Sequence, residues 1–298
     1  MADVVRVEGL QKSYGSRRAV SEISFTVAEG EVVGLLGPNG AGKTTTVEIL
    51  EGLRKRDAGT VLVLGRDPGK RDRRLSACIG VVLQSEGIDD VLSVEEVVKL
   101  YASFYRPRCS VEEILEETGL CGCEQERLAH LSGGQRRRVD VALALVGDPR
   151  VLFLDEPTTG LDPAARRKTW DTITRLRDRG VAILLTSHYL DEVQQLADRV
   201  IVLRAGRIVG DDTPSHVAGH SGYEAVISFR IDDAIALPSG PWEPASVAHG
   251  VTTLVTEHST EAMRVLTSWA VLHSVELEDL EMRRPSLEDR YLELTSEP

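Results

Sequence analysis

The stretch "VVGLLGPNGAGKTTTVEIL", Val32 to Leu50, decides how the rest of the chain is read. A near-continuous apolar run, the pattern of a strand buried on both faces, passes into a glycine loop and then into a helical pattern. Gly37 to Thr44 fits glycine, four residues, then Gly-Lys-Thr, the phosphate-loop pattern. Gly37, Gly40 and Gly42 let the backbone curl so that its amide hydrogens point inward at phosphate oxygens. The start of the following helix adds positive dipole character. Lys43 brings a full charge to the outer phosphates, and the Thr44 hydroxyl is placed to hold Mg2+. An ordinary glycine-rich turn would lack this conjunction of strand, spacing, lysine and threonine.

Outward from the loop, the first two-thirds of the chain alternates short apolar strands with helices. "RVLFLDEP" precedes "PAARRKTWDTITRLRDRG", and "VAILLTS" precedes "LDEVQQLADR". This predicts an α/β fold with a parallel sheet covered on both faces. "VVRVEGL", "ISFTVAEG" and "GTVLVLG" alternate more and end in turns, which suits an antiparallel flap beside that sheet. Between about Val94 and Gly147 the pattern is mainly helical.

The strand "VLFLD" ends in Asp155 and Glu156, placing two carboxylates at the carboxyl edge of the sheet, where doubly wound folds bind ligands. Asp155 is read as reaching the metal and Glu156 as orienting or deprotonating an attacking water. The alternative is a capping pair before Pro157. His188 follows "VAILLTS" and is either structural or a partner of the terminal phosphate. Gln84, in "GVVLQSEG", is either a solvated loop residue or a sensor of metal and water.

A second glycine-bearing helix start, "LSGGQ", lies at 131–135. Ser132 is a favoured N-cap, and Gly133 and Gly134 expose amides at the positive end of the helix dipole. It is therefore a second anion receptor, or only a well-capped helix.

Net charge is −12 over 298 residues, which argues against nucleic acid as a partner. No apolar run reaches the roughly 18 residues of a membrane span, and the N-terminus lacks a secretory signal pattern. Cys78, Cys109, Cys121 and Cys123 are read as free thiols of a reducing cytoplasm; the "CGC" pair lacks further ligands for a metal. The sequence changes character near His216 to Gly222. Residues 218–298 hold 14 acidic against 5 basic side chains and show a strand–helix mixture. Two domains are expected, residues 1–217 and a small acidic α+β accessory domain over 218–298.

With both glycine starts, the acidic strand, Gln84 and His188 in this order, the chain resembles the ATP-binding subunit of an ABC transporter. The resemblance covers about residues 3–215. It implies a P-loop ATPase fold with an antiparallel β subdomain and a helical subdomain bearing the signature. It implies ATP and Mg2+ as ligands, with a phosphate loop of Gly37, Pro38, Asn39, Gly40, Ala41, Gly42, Lys43, Thr44 and Thr45. Tyr14 would stack on adenine, and Thr44, Gln84 and Asp155 would serve the metal. Ser132, Gly133, Gly134, Gln135 and the D-loop residue Asp162 ("TGLD") would serve a nucleotide across a dimer interface, with Glu156, His188 and Gln84 as the catalytic group. Two chains, identical or homologous, would pair head to tail, each phosphate loop facing the other chain's signature.

The wording of "GVVLQSEGIDD", "DEPTTGLDPAARR" and "RRPSLEDRYLELT" is similar to daunorubicin-resistance exporter ATPases. Where many of those read "LEDVFLEL", this chain has Arg290 and Tyr291. The resemblance implies separate integral membrane permease subunits, a cytoplasmic chain peripheral on the inner face of the membrane, and export of a small hydrophobic compound or lipid. The alternatives are an importer ATPase or a soluble ABC-type ATPase. "QSEGIDDVLSVEEV", residues 84–97, is the expected docking stretch for the permease.

Overall fold

The computed structural model describes residues 2–82, 90–105, 109–187, 189–217, 225–232, 235–243, 246–248, 250–283 and 287–295. Gln84, His188 and the first six residues of the expected docking stretch lie outside the described residues. The chain divides into two compact units, Met1–Thr213 and Pro214–Pro298.

In the first unit, β1 (Asp3–Tyr14), β2 (Arg17–Ala28), β3 (Val32–Leu36) and α1 (Lys43–Leu50) lead into β4 (Ala58–Val63), α2 (Arg73–Ser76) and β5 (Ile79–Val82). Then come α3 (Val94–Ala102), α4 (Val111–Glu117), α5 (Gly133–Leu145), β6 (Val151–Asp155) and α6 (Pro163–Asp178). The unit closes with β7 (Ala182–Thr186), α7 (Leu190–Leu196), β8 (Arg199–Arg204) and β9 (Arg207–Asp212).

The main sheet has the order β5-β6-β7-β3-β8-β9. Its strands run parallel except β9, which returns antiparallel to β8. Every residue of β3, β6 and β7 is buried, which is why these strands read as unbroken apolar runs. Because the three strands are parallel and adjacent, Gly37, Glu156 and Ser187 emerge from one edge of the sheet. The expected antiparallel flap is present as β2-β1-β4, and its alternating pattern follows from one buried and one open face.

The helical segment has its own core of Val94, Val97, Ile114, Leu120, Leu128, Val139 and neighbours. Three of its helices open on reciprocal capping boxes: Ser93 with Glu96, Ser110 with Glu113, and Ser132 with Gln135.

The second unit begins with the short helix α8 (Pro214–Val217), whose Val217 is buried and which neighbours the closing helix α10 (Leu287–Thr295). That packing sets the division at Thr213–Pro214, slightly ahead of the expected break after residue 217. Between them lie β10 (Ala225–Arg230), β11 (Ser246–Ala248), β12 (Val251–Thr256), α9 (Ser259–His273) and β13 (Glu278–Arg283). The sheet order is β11-β12-β10-β13, antiparallel throughout. Ile227, Phe229 and Leu254 of the sheet pack on Ala262 and Leu266 of α9.

Candidate active site

The phosphate-loop backbone takes a shape few side chains tolerate. Gly42 has φ 106°, and a Cβ there would run into the carbonyl oxygen of Ala19. The loop is further pinned by Ala41, which is buried and bonds Pro38 through its amide (3.1 Å) and Gly206 through its carbonyl (3.1 Å). Lys43 turns inward, its ammonium donating to the carbonyls of Gly37 at 2.6 Å and Pro38 at 3.3 Å. Burial holds the Lys43 ammonium below its ordinary range, against the opposing pull of Glu156 and Asp155.

Tyr14, Asn39, Gly40, Gly42, Lys43, Thr44, Thr45, Asp155 and Glu156 line one cleft of 420 Å3, together with Arg17 and Ala19. Pro38 and Ala41 belong to the loop without lining the cleft; the Pro38 carbonyl accepts from the Ala41 amide and the Lys43 ammonium. Asp155 is buried, and the Thr186 hydroxyl donates to its carboxylate. Glu156 adopts the left-handed conformation, φ 50°, at a cost of about 1–2 kcal/mol for a residue with a Cβ. Its amide is held by Thr186, at 3.1 Å to the carbonyl and 3.2 Å to the hydroxyl, and Thr159 donates to its carboxylate at 3.1 Å. The strand end therefore aims its second carboxylate by a strained backbone that β7 restrains.

The site's oxygen donors suit Mg2+, a hard cation that keeps several waters and takes one or two carboxylates plus phosphate oxygens. Thr44 and Asp155 share the cleft, and no cluster of three metal-ligating side chains occurs among the described residues.

The signature residues stand elsewhere, and none lines this cleft. Ser132 and Gln135 cap each other: the Ser132 hydroxyl accepts from the Gln135 amide at 3.2 Å, and the Gln135 side chain accepts from the Ser132 amide at 2.8 Å. The amides of Gly133 and Gly134 belong to the first turn of α5 and lack intrahelical acceptors. Asp162 caps α6, accepting from the amides of Ala164 and Ala165, both at 2.9 Å.

Three further groups matter that the sequence reading passed over. Arg137, inside the "RRR" run after the signature, donates to the carbonyls of Asp155 (2.6 Å), Glu156 (2.9 Å) and Pro157 (3.2 Å). It ties the signature helix to the strand end that carries both carboxylates. Glu192 of α7 is fully buried; it accepts from the Ser187 hydroxyl and from the Trp170 indole at 3.0 Å. Burial pushes the Glu192 carboxyl up, and these hydrogen bonds oppose the rise.

Glu51 follows α1 with a buried carboxylate oxygen that has no hydrogen-bond partner among the described residues. Burial, then the charges of Asp155 and Glu48, push its carboxyl from 4.5 up to about 7. Folding therefore takes up a proton between those values, and stability falls as pH rises through that window. Glu51→Gln is expected to leave stability nearly unchanged at pH 4.5 and to raise it by about 1–3 kcal/mol at pH 8. Urea denaturation at the two pH values measures this; equal effects at both would show that Glu51 is not the titrating group.

Comparison with known proteins bears on the family and the fold. The family model described as ABC transporter matches residues 20–159. A second, the C-terminal domain of ABC transporter domain-containing protein-like chains, matches residues 225–286. A daunorubicin resistance ATP-binding protein of Streptomyces coeruleorubidus is 38% identical, over 98% of this chain and 94% of its own length. A Nod factor export ATP-binding protein I of Rhizobium sp. (strain N33) is 36% identical, over 98% of this chain and 96% of its own. Among solved structures, a dimeric post-hydrolysis state of an ATP-binding cassette bound to ADP and Pi superposes with a TM-score of 0.64 at 27% identity. It covers 70% of this chain and 98% of that one. With its phosphate loop, acidic strand end and separate signature helix in one fold, and with relatives of this identity along nearly its whole length, the chain belongs to the ATP-binding subunits of ABC transporters.

Proposed function

We propose that this ATPase works as a head-to-tail dimer in which each nucleotide lies between the phosphate loop of one chain and the signature of the other. The observation that carries this reading is Gly133. Its φ is not positive, and a Cβ built on it meets nothing within 4 Å among the described residues. Neither backbone conformation nor intramolecular packing calls for glycine there, and an alanine would favour the helix by up to about 1 kcal/mol. A close approach from outside the chain does call for it. The signature's absence from the cleft points the same way, since its free amides then serve an anion other than the one held by Lys43.

Within one half-site, Tyr14 offers a stacking face to the base. The phosphate-loop amides and Lys43 bind and orient the phosphate chain. Thr44, Asp155 and Gln84 would hold Mg2+, which when bound draws charge off the outer phosphate oxygens. Glu156 takes the proton of, or orients, the attacking water; Asp162 would serve the dimer seam and His188, by the family resemblance, the terminal phosphate. Nucleotide glues the two chains and hydrolysis loosens them, and that cycle drives membrane subunits docked near residues 84–97. The drug-resistance and export names of the relatives support an exporter of a small hydrophobic compound or lipid, with this chain on the cytoplasmic face. No described helix is long and apolar enough to cross a membrane. The kinship with transporter ATP-binding subunits is what supports separate permease subunits as the transport path.

Lys43→Ala tests the cradle. Loss of one charge-assisted phosphate contact is expected to weaken ATP binding by roughly 10- to 100-fold. Equilibrium titration with a fluorescent ATP analogue measures this, and parental affinity in the variant would remove Lys43 from the phosphate site.

A further inference from the structure

We infer that Arg17 is a second phosphate-binding cation of the nucleotide cleft, set beside the base platform by the β1–β2 hairpin. The inference rests on the proposed nucleotide site and adds to it a residue outside the phosphate loop. Tyr14 closes β1 and Arg17 opens β2, and the two are cross-strand partners across the two-residue turn Gly15–Ser16. Directly opposed residues of an antiparallel pair project from the same face, which sends both side chains from the hairpin toward the same side of the flap. Both line the cleft.

The guanidinium already touches the phosphate loop. Arg17 Nη2 lies 3.3 Å from the Gly40 carbonyl, and a Cβ on Gly40 would collide with it. That long bond to a carbonyl is its one hydrogen bond among the described residues, which leaves most of its donors free. Its neighbours are differently placed. Lys12 pairs with Asp57 at 2.7 Å, Arg54 pairs with Glu48, and the Lys43 ammonium is engaged by loop carbonyls beside Asp155 and Glu156. Arg17 has no carboxylate within ion-pair distance among the described residues.

Charge balance gives the reason for it. The charged side chains lining the cleft are Arg17, Lys43, Asp155 and Glu156, and their formal charges cancel. Without Arg17 the lining would carry a net negative charge where a polyanion must enter. A guanidinium is suited to this place: it stays ionised, is weakly hydrated and can engage two phosphate oxygens at once.

Arg17→Ala, Arg17→Lys and Lys43→Ala are compared in the full-length chain by equilibrium titration with ribose-labelled fluorescent ATP and AMP at two salt concentrations. Arg17→Ala is expected to weaken ATP by roughly 10-fold or more while AMP changes less than about 3-fold, with Arg17→Lys intermediate, since it keeps the charge and loses the two-pronged geometry. The salt dependence of ATP binding is expected to flatten in Arg17→Ala. An unchanged ATP-to-AMP ratio in Arg17→Ala, with Lys43→Ala impaired, overturns the role of Arg17 and leaves the cradle standing. Parental binding in Lys43→Ala overturns the nucleotide-site reading itself and this inference with it. Because Arg17 is exposed at a hairpin turn, unfolding of the variant is not expected, and thermal melts of each protein verify that the comparison is between folded chains.

Discussion

Glu156→Gln is expected to keep ATP affinity within a few-fold of the parent, to cut turnover by at least about 100-fold, and to lengthen the life of the ATP-bound dimer. The amide preserves the shape of the carboxylate but removes its basicity. The backbone geometry around it is indifferent to the exchange, since Thr186 holds the amide and Arg137 the carbonyl, and the Thr159 hydroxyl that donates to the carboxylate can donate equally to a glutamine side-chain oxygen. The left-handed φ of 50° is a backbone property that glutamine inherits. Removing the negative charge also relieves the carboxylate–phosphate repulsion, so binding should tighten rather than weaken. Single-turnover hydrolysis and the elution volume of the ATP-incubated variant measure the two effects. Hydrolysis at the parental rate would mean that another group acts on the water. A loss of binding would mean that the strand end, and not the chemistry, had been damaged.

The parts of the site that could be read from sequence are those carried by short, contiguous chemistry. The phosphate loop is one run because a strand, a curled loop and a helix start must follow one another to build a cradle. The Asp155–Glu156 pair is legible because a fully buried strand leaves an apolar run that stops where the carboxylates begin. Ser132 was legible as a cap because a serine stands there directly before two glycines and a helical run, whereas its reciprocal bond with Gln135 emerged only in the structure. What stayed hidden was built between distant segments. Arg137 sits in a triplet of arginines, and nothing local distinguishes it from Arg138, which donates instead to the Gly119 carbonyl at 2.8 Å. Glu192 looks like a solvated residue of "LDEVQQL" until the fold buries it against Trp170. Arg17 reads as a surface charge because the phosphate-loop carbonyl it touches, at Gly40, lies 23 residues away. In the second unit, β11 is only three residues long and lacks enough alternation to register as a strand.

Mixing Lys43→Ala chains with chains altered in the signature should restore ATPase activity that neither protein shows alone. In a two-fold dimer with shared sites, a mixed pair joins the intact loop of one chain to the intact signature of the other, and both lesions fall in the second site. At equal concentrations about half the dimers are mixed and each holds one sound site of two, so recovery to about a quarter of parental activity is expected when the sites act independently. Ser132→Arg is a severe signature lesion, because it removes the capping box as well as adding bulk. Gly133→Ala is the cleaner companion. Its Cβ enters open space in its own chain, so melting temperature should hold or rise while activity falls, a pairing that damage to the fold cannot produce. Mixed dimers that form, as judged by pull-down of differently tagged chains, and yet show no recovered hydrolysis would exclude the shared site. Full activity of Gly133→Ala would remove the reason for a glycine at that helix start, and with it the observation on which the dimer reading rests.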